Sequence, residues 1–244
     1  RDAEEMVRRA QKLGLTLMVD HTFIYSGPVR KMKEILDSGD LGHLYYVDSV
    51  RINLGLFQHD VNVIWDLAPH DISIANHVLN RRPKVVRAFG HSHTGSGLAD
   101  VAYLNVEYGD SIAANFHVNW LSPVKIRHAI FAGSNRMIVW NDLDPAEKLR
   151  VYDRGIEVAH LDRDGQYPLQ VGYRMGDAWL PQTDRTEALR KVADHFLDCC
   201  RTGKKPLTGA QEGLDVTVAL QAAEMSLARG GRPVHIEQDR LLPA

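Results

Sequence analysis

The segment Ile64-Trp65-Asp66-Leu67-Ala68-Pro69-His70-Asp71-Ile72-Ser73-Ile74 has the pattern of a helix that begins with a proline in its first turn. A proline there costs nothing, because its missing N–H would have no partner in the first turn of a helix. Apolar residues then recur at helical spacing, namely Ile72, Ala75, Val78 and Leu79. Asp66 is the natural N-cap of this predicted helix, and His70 follows one turn later on the same face.

Asp66 and His70 form an acid–histidine pair that can do proton chemistry. A carboxylate and an imidazole held close on a rigid helix can move a proton to or from a substrate hydroxyl. The same spacing also fits a capping aspartate beside a histidine on the helix surface, and such caps are common. The spacing by itself favours the simpler interpretation, so the rest of the chain has to decide.

Composition and charge exclude several classes of protein. The 244 residues are 44% hydrophobic and 25% charged, as in an ordinary globular protein of one large or two small domains. A net charge of −2 provides no basic surface for nucleic acid or for a membrane. No apolar run approaches the roughly 20 residues of a membrane helix. The adjacent Cys199 and Cys200 are unsuited to pair with each other, so we expect a reducing, cytoplasmic setting.

The first 25 residues have the pattern of one helix followed by one strand. A helical stripe is closed by Gly14 as a C-cap, and its members are Ala3, Met6, Val7, Ala10 and Leu13. Residues 15–19 are predicted to be a buried strand. Such a unit belongs to an α/β layer and has no sheet of its own, so we expect its partner strands upstream of these 244 residues.

The middle of the chain changes to strands joined by tight turns. A helix over 28–36 and a long strand over 44–54 come first. From Lys84 onward the candidate strands cover 85–89, 100–107, 111–117, 126–132, 137–140 and 149–151. Residues 111–118 alternate apolar and polar, as in a sheet that is packed on one face. We therefore predict an α+β fold: a large, mostly antiparallel sheet with helices on one face, preceded by the last helix–strand unit of a Rossmann-type domain.

The last third is predicted to contain a long loop and two helices. Residues 161–183 are polar with Gly and Pro, and a loop of that length favours a binding role or an interface. The capping box Asp184-Arg185-Thr186-Glu187 is predicted to open one helix. A second helix is expected over 210–228, and a short strand over 232–236.

Other catalytic motifs are missing or incomplete. Gly95-Ser96-Gly97 begins a dinucleotide fingerprint, but Asp100 stands where the third glycine belongs. The sequence has no phosphate loop, no paired C-x-x-C and no G-x-S-x-G elbow. His91 and His93 have a spacing seen in metal sites, yet the Gly/Ser/Thr loop that follows favours solvated histidines, and no metal site is predicted.

Several segments, taken in order, resemble the C-terminal part of the glucose-fructose oxidoreductase / inositol dehydrogenase (Gfo/Idh/MocA) family. The resemblance is to its sugar and sugar-nucleotide dehydrogenase branch, and it covers nearly the whole chain. Residues 65–71 match the D-x-x-x-H signature of that family. The other similar segments are 19–23, 39–42, 46–50, 119–125, 173–177 and 209–213. The order and spacing of these segments together make the resemblance specific.

The resemblance implies hydride transfer between NAD or NADP and a sugar, polyol or sugar-nucleotide carbon. In that family the signature Asp and His act with a Lys from an E-K-P motif. By position, His70 would be the general acid/base and Asp66 its orienting or substrate-binding partner. An imidazole titrates near neutral pH, and a nearby carboxylate keeps it in the useful tautomer.

The resemblance also implies residues around this pair. His21 and Tyr25 would face the cofactor, and Lys125 and Arg174 would meet an anionic group such as a phosphate or carboxylate. The remaining substrate-binding candidates are Phe57, Gln58, Asn62 and Trp65.

The sequence departs from the family in lacking both E-K-P and the glycine fingerprint, which are expected upstream. Residues 1–25 would then be a remnant of the dinucleotide-binding domain. Residues 26–244 would form the substrate-binding and oligomerisation domain, whose sheet would join copies into a dimer or tetramer. The isolated chain is expected to be inactive.

Two alternatives stay open. One is a non-catalytic binding or assembly protein that keeps the sheet as a dimer interface. The other is a metal-dependent hydrolase or isomerase that uses His91, His93, His70 and Asp66. The sequence leaves the identity of the sugar, the choice of NAD or NADP and the direction of reaction open.

Overall fold

The computed structural model describes residues 2–55, 57–159 and 170–236. The helices are α1 (Asp2–Lys12), α2 (Gly27–Asp37), α3 (Val63–Leu79), α4 (Ala188–Thr202) and α5 (Ala210–Ala228), with a 3₁₀ turn at Thr22–Tyr25. The strands are β1 (Leu44–Leu54), β2 (Val85–His91), β3 (Val101–Gly109), β4 (Ile112–Asn119), β5 (Leu121–Gly133), β6 (Met137–Asn141), β7 (Leu149–Tyr152), β8 (Gly155–Ala159), β9 (Gln170–Arg174), β10 (Ala178–Trp179) and β11 (Val234–His235). Within those ranges, none of the helices has the length and apolar character that crossing a bilayer requires.

Nine strands form one sheet in the order β10-β7-β6-β5-β1-β4-β3-β2-β11. Strands β1 and β4 are parallel, and every other neighbouring pair in this sheet is antiparallel. Strands β8 and β9 form a separate antiparallel pair. The prediction of an α+β fold with a large, mostly antiparallel sheet is confirmed.

Alternation along the strands gives the sheet one buried face and one open face. In β1, Val47, Ser49 and Arg51 are buried towards the helices. The hydrophobic core lies on that side, where α3 and α5 cover the sheet and α2 packs against α3. Its largest fully buried side chains include Trp120, Trp140, Tyr108, Phe116 and Phe131. The opposite face keeps exposed aromatic rings, among them Phe89 and Tyr103.

Helix α3 begins earlier than predicted. Its first residue is Val63 and its N-cap is Asn62, whose side chain accepts hydrogen bonds from the backbone N–H groups of the first turn. Asp66 is therefore the fourth residue of the helix and not its N-cap. Pro69 lies inside the helix, so the carbonyl of Trp65 lacks the N–H that would normally bond to it.

The segment 15–19 was predicted to be a buried strand, and this prediction is wrong. It forms an isolated bridge between Met18 and Gly209, and its first residue, Leu15, is 63% exposed. The backbone N–H of Val19 donates to the carbonyl of Thr208 at 2.8 Å. The segment therefore pairs with the turn before α5 and not with the nine-stranded sheet.

The C-terminal elements differ from the prediction mainly at their boundaries. Helix α4 begins at Ala188, after the predicted capping box, because Asp184 Oδ1 accepts from the backbone N–H of Thr186 and closes a turn before the helix. The predicted loop over 161–183 contains both β9 and β10, while its first residues lie outside the described ranges. Helix α5 and a short last strand are confirmed.

A buried ion pair joins the sheet to α3. The guanidinium of Arg51 donates to both carboxylate oxygens of Asp71, at 2.6 and 2.9 Å, and both side chains are 3% exposed. Ser49 Oγ donates to the same carboxylate at 3.1 Å. Such a pair stabilises a fold only while both members remain, because either charge left alone in the interior is costly.

We predict that Asp71→Asn lowers the free energy of unfolding by about 3 kcal/mol or more, because it leaves the Arg51 charge buried without its counter-ion. Urea denaturation of the chain measures this loss. The matched control is Asp110→Asn, which breaks the exposed Arg81–Asp110 pair and should cost less than about 1 kcal/mol. Equal losses in the two variants would contradict the prediction.

Candidate functional site

The first turn of α3 is tied to α5 by Glu224. Asn62 Oδ1 accepts from the backbone N–H of Ile64 at 3.0 Å, and its Nδ2 donates to Glu224 Oε2 at 2.7 Å. Trp65 Nε1 donates to the same oxygen at 3.3 Å. Asn62 and Trp65, both predicted to bind substrate, thus hold the helix in place, and Glu224 is a partner that the sequence analysis missed.

Asp66 lies against an aromatic wall. Trp120 Nε1 donates to Asp66 Oδ2 at 2.8 Å, and Trp120 is 1% exposed. The ring of Phe57 meets the Trp120 ring edge to face at 5.5 Å and is 42% exposed, with the exposed Gln58 next to it in the chain. The structure therefore brings Asp66 and Phe57 together through the ring of Trp120.

His70 is surrounded by an aromatic ring and two cations. The Phe23 ring lies edge to face with the His70 ring, 5.2 Å between centroids. The guanidinium carbons of Arg51 and Arg127 lie 4.7 and 5.1 Å from the centroid of the same Phe23 ring. Guanidinium groups are attracted to aromatic faces, so these contacts fix Phe23 against His70.

This environment keeps the imidazole neutral near pH 7. The pKa of His70 is lowered to about 4, chiefly by burial and then by the positive charge of Arg51, while the negative charge of Asp71 opposes the shift. A neutral imidazole can accept a proton from a hydroxyl. The arrangement therefore provides a proton acceptor on α3.

The carboxylate that acts on the charge of His70 is Asp71, its neighbour in the chain. The Asp66 carboxylate bonds to Trp120, and no side-chain hydrogen bond joins it to His70 within the part of the chain that the structure describes. The two residues share a helix face one turn apart. A role for Asp66 in orienting His70 stays a prediction.

The two residues predicted to face the cofactor are both buried. His21 is 7% exposed, and burial lowers the pKa of its ring. Tyr25 is 5% exposed, and its hydroxyl lies 3.1 Å from Thr208 Oγ1. Tyr25 therefore packs at the junction between the 3₁₀ turn and the segment that precedes α5.

The two predicted anion-binding cations lie apart from these contacts. Lys125 is exposed on β5. Arg174 on β9 donates to Asp153 Oδ1 at 2.5 Å and to the carbonyl of Asn135. Because its charge is already neutralised by Asp153, Arg174 would need to give up this pair to meet an anionic group.

Arg51 and Asp71 are functional candidates that the sequence analysis missed, although a signal for them exists. Val47, Ser49 and Arg51 follow one another at every second position of β1, so all three lie on the buried face of the strand. A charge at an inward position of a strand needs a partner, and Asp71 directly follows the signature histidine. No sequence pattern links Phe23 or Arg127 to His70.

The metal alternative gains no support from the described residues. They contain no group of three or more His, Cys, Asp or Glu side chains that could hold a metal ion. His93 Nδ1 lies 2.7 Å from Asp100 Oδ1, and the backbone N–H groups of His93 and Thr94 donate to Asp100 Oδ2. This buried carboxylate closes a loop.

Comparisons with known proteins agree with this architecture. Residues 29–139 match the family model described as the GFO/IDH/MocA C-terminal domain. A search of curated proteins finds no match. At 14–19% identity, the solved structures below show a shared fold.

Three of these structures illustrate the likeness. The aldose-aldose oxidoreductase of Caulobacter crescentus, complexed with glycerol, has a TM-score of 0.78 at 14% identity and covers 96% of this chain and 68% of its own. An inositol dehydrogenase homolog from Azotobacter vinelandii, complexed with NADH and myo-inositol, has a TM-score of 0.74 at 18% identity, and the match covers 96% of this chain and 68% of its own. The UDP-N-acetylglucosamine 3-dehydrogenase of Acidithiobacillus ferrooxidans has a TM-score of 0.73 at 19% identity, and the match covers 93% of this chain and 67% of its own.

We predict that His70 takes up its proton near pH 4, far below the ordinary value of 6.5. Because the unfolded chain binds this proton first, the free energy of unfolding should fall as the pH drops from 6.5 towards 4. An NMR titration of the His70 ring measures the midpoint. Phe23→Ala should raise it by admitting water, whereas a wild-type midpoint above about pH 6 would contradict the prediction.

Proposed function

We propose that the chain acts in an NAD(P)-dependent oxidoreductase, because residues 29–139 match the family model of the GFO/IDH/MocA C-terminal domain. Its substrate would be a sugar, a polyol or a sugar nucleotide, oxidised or reduced at a hydroxyl-bearing carbon. The observation that carries the proposal is the neutral imidazole of His70, held on α3 within this domain. The complexes with NADH and myo-inositol and with glycerol support the substrate class.

In the oxidative direction, His70 takes the hydroxyl proton as the carbon–oxygen double bond forms. The neutral ring has the free lone pair that this step needs, because burial and Arg51 keep it unprotonated. A bound nicotinamide would supply the hydride acceptor. In the reverse direction His70 returns the proton.

Asp66 and Phe57 are the proposed substrate-positioning groups. Trp120 donates to one carboxylate oxygen of Asp66, which leaves the other free to accept from a sugar hydroxyl. The half-exposed ring of Phe57 offers an apolar surface to the carbon face of a sugar. Gln58, Lys125 and Arg174 stay candidates for more distant parts of the substrate.

This sequence contains no glycine-rich turn of the kind that binds the phosphates of a dinucleotide. We therefore assign to the dinucleotide side only residues 1–25, with His21 and Tyr25 nearest the nicotinamide, and propose that the phosphate site lies outside these 244 residues. The separation of segment 15–19 from the nine-stranded sheet supports this division. Residues 26–244 would bind substrate.

Two free cysteines, Cys199 and Cys200, support a reducing, cytoplasmic location.

The open face of the sheet is the proposed surface for a homo-oligomer, a dimer or tetramer. Phe89 is 55% exposed on it, and Tyr103, 52% exposed, stacks on His117 with 4.4 Å between centroids. A strand face that exposes large rings fits an isologous contact with a second copy. This surface would also serve the alternative function, a non-catalytic binding or assembly protein.

We predict that His70→Ala lowers kcat by about 100-fold or more and leaves the dissociation constant of the dinucleotide nearly unchanged. The assay uses the protein purified from its source, with its intact mass measured. His43→Ala, at an exposed histidine, is the matched control. An ordinary kcat for His70→Ala would remove it from the mechanism, and a native mass equal to these 244 residues would favour the non-catalytic alternative.

We predict that Tyr103→Glu dissociates the oligomer, because it places a charge in the centre of the proposed interface. Sedimentation velocity of the chain compares the variant with the wild type. Leu189→Glu changes an equally exposed apolar residue on α4 and should leave the oligomer intact. An unchanged sedimentation coefficient for Tyr103→Glu, or a monomeric wild type, would contradict the interface.

A further inference from the structure

A groove of about 790 Å³ lies between α2, the second half of α3 and the first turns of α5. Its lining includes His21, Lys33, Asn76, Lys84, Glu212 and Asp215, and we call it the α3–α5 groove. It extends to Asn80 just beyond α3, which lies 14 residues after Asp66 and therefore roughly 20 Å along the helix. The far end of the groove is thus well separated from the substrate-positioning contacts of Asp66, whereas its near end reaches His21, which also acts on His70.

Three buried polar atoms of the groove have no hydrogen-bond partner among the described residues. They are His21 Nε2, Asn76 Nδ2 and Glu212 Oε2. His21 is more than nine-tenths buried, so solvent does not replace the missing partner. A buried polar group without a partner costs free energy, and its presence in a cavity indicates a ligand or ordered water that completes the hydrogen bonds.

The orientation of the Asn76 amide is fixed. Tyr108 donates its hydroxyl proton to Asn76 Oδ1 at 2.9 Å, and burial raises the pKa of Tyr108 well above its usual value, so this hydroxyl stays protonated. Because Oδ1 is occupied, the unpartnered atom is the donor Nδ2. The groove therefore offers one buried donor at Asn76 and one buried acceptor at Glu212.

The rim of the groove adds an ammonium group. Three of its four cations are matched by carboxylates, in the pairs Lys33–Asp37, Arg81–Asp110 and Arg82–Asp215. Within the described ranges, Lys84 has no carboxylate partner for its Nζ atom. The histidines of the groove add no charge near pH 7, because burial lowers the pKa of both His21 and His77.

We propose that the α3–α5 groove binds a small polyhydroxylated anion, of the class that includes sugar phosphates and sugar acids. A hydroxyl group both donates and accepts, so one ligand can satisfy Glu212 Oε2, Asn76 Nδ2 and His21 Nε2. Its anionic group pairs with Lys84 at the rim. The volume falls within the range of small-molecule sites, and the proposal does not depend on hydride transfer.

NMR of the histidine rings of this chain tests the site directly. His21 and His77 line the groove, whereas His91 and His93 lie beside the Asp100 loop and serve as references. Glucose 6-phosphate and gluconate should shift the signals of His21 and His77 saturably. Comparison of these two probes decides between a phosphate ester and a carboxylate. Sorbitol lacks the anionic group and inorganic phosphate lacks the sugar hydroxyl groups, so each should bind more weakly by about tenfold or more.

Two variants and one control complete the test. Lys84→Ala removes the rim charge, and Asn76→Asp replaces the buried donor while keeping an acceptor for Tyr108, so each should weaken binding by about tenfold or more. Lys204→Ala, at a lysine whose side chain is 71% exposed and which does not line the groove, should leave binding unchanged. Thermal unfolding verifies that each variant is folded.

Three results would overturn the proposal. One is the absence of a saturable shift of the His21 and His77 signals with either organic anion up to about 50 mM, because a dissociation constant above that concentration would be too weak for a useful site. Another is equal weakening of binding by Lys84→Ala and Lys204→Ala, since this would reveal general attraction to surface charge. The last is binding of inorganic phosphate as tight as that of glucose 6-phosphate, because the hydroxyl groups would then contribute nothing.

Discussion

The ion pair between Arg51 and Asp71 is the interaction on which the rest of the structure depends. It joins the central strand β1 to α3, and both charges lie in the interior, where neither can exist alone. The pair therefore fixes how far α3 can slide or rotate over the sheet. The same Arg51 also contacts the ring of Phe23 and lowers the pKa of His70. One buried charge pair thus links the register of the fold to the protonation of the proposed catalytic residue.

Helix α3 serves two chemically different regions of the molecule. Its first half carries Asp66 and His70 against aromatic rings and guanidinium groups, which suits a proton acceptor beside a hydroxyl. Its second half carries Asn76 and His77 into a polar groove with unmet hydrogen bonds. His21 lies between the two regions, because it lines the groove and, when protonated, acts on the charge of His70.

Much of this architecture could be predicted because it follows from local patterns. The alternation in residues 111–118 and the tight turns between strands indicated the antiparallel sheet, and the periodicity over 210–228 placed α5. Local rules failed where tertiary contacts override them. Asn62 caps α3 because Glu224 on α5 holds it there, so Asp66 lost the role of cap. Segment 15–19 has strand composition, yet its pairing is limited to the turn before α5.

The sequence by itself determined the fold class, the helix that carries Asp66 and His70, and the resemblance to a dehydrogenase family, since these depend on spacing along the chain. Only the tertiary structure decided which groups surround His70. Arg51 comes from β1, Phe23 from the 3₁₀ turn and Arg127 from β5, and no spacing in the sequence connects them. The protonation state of an imidazole depends on burial and on charges a few ångströms away, and these distances exist only after the chain has folded.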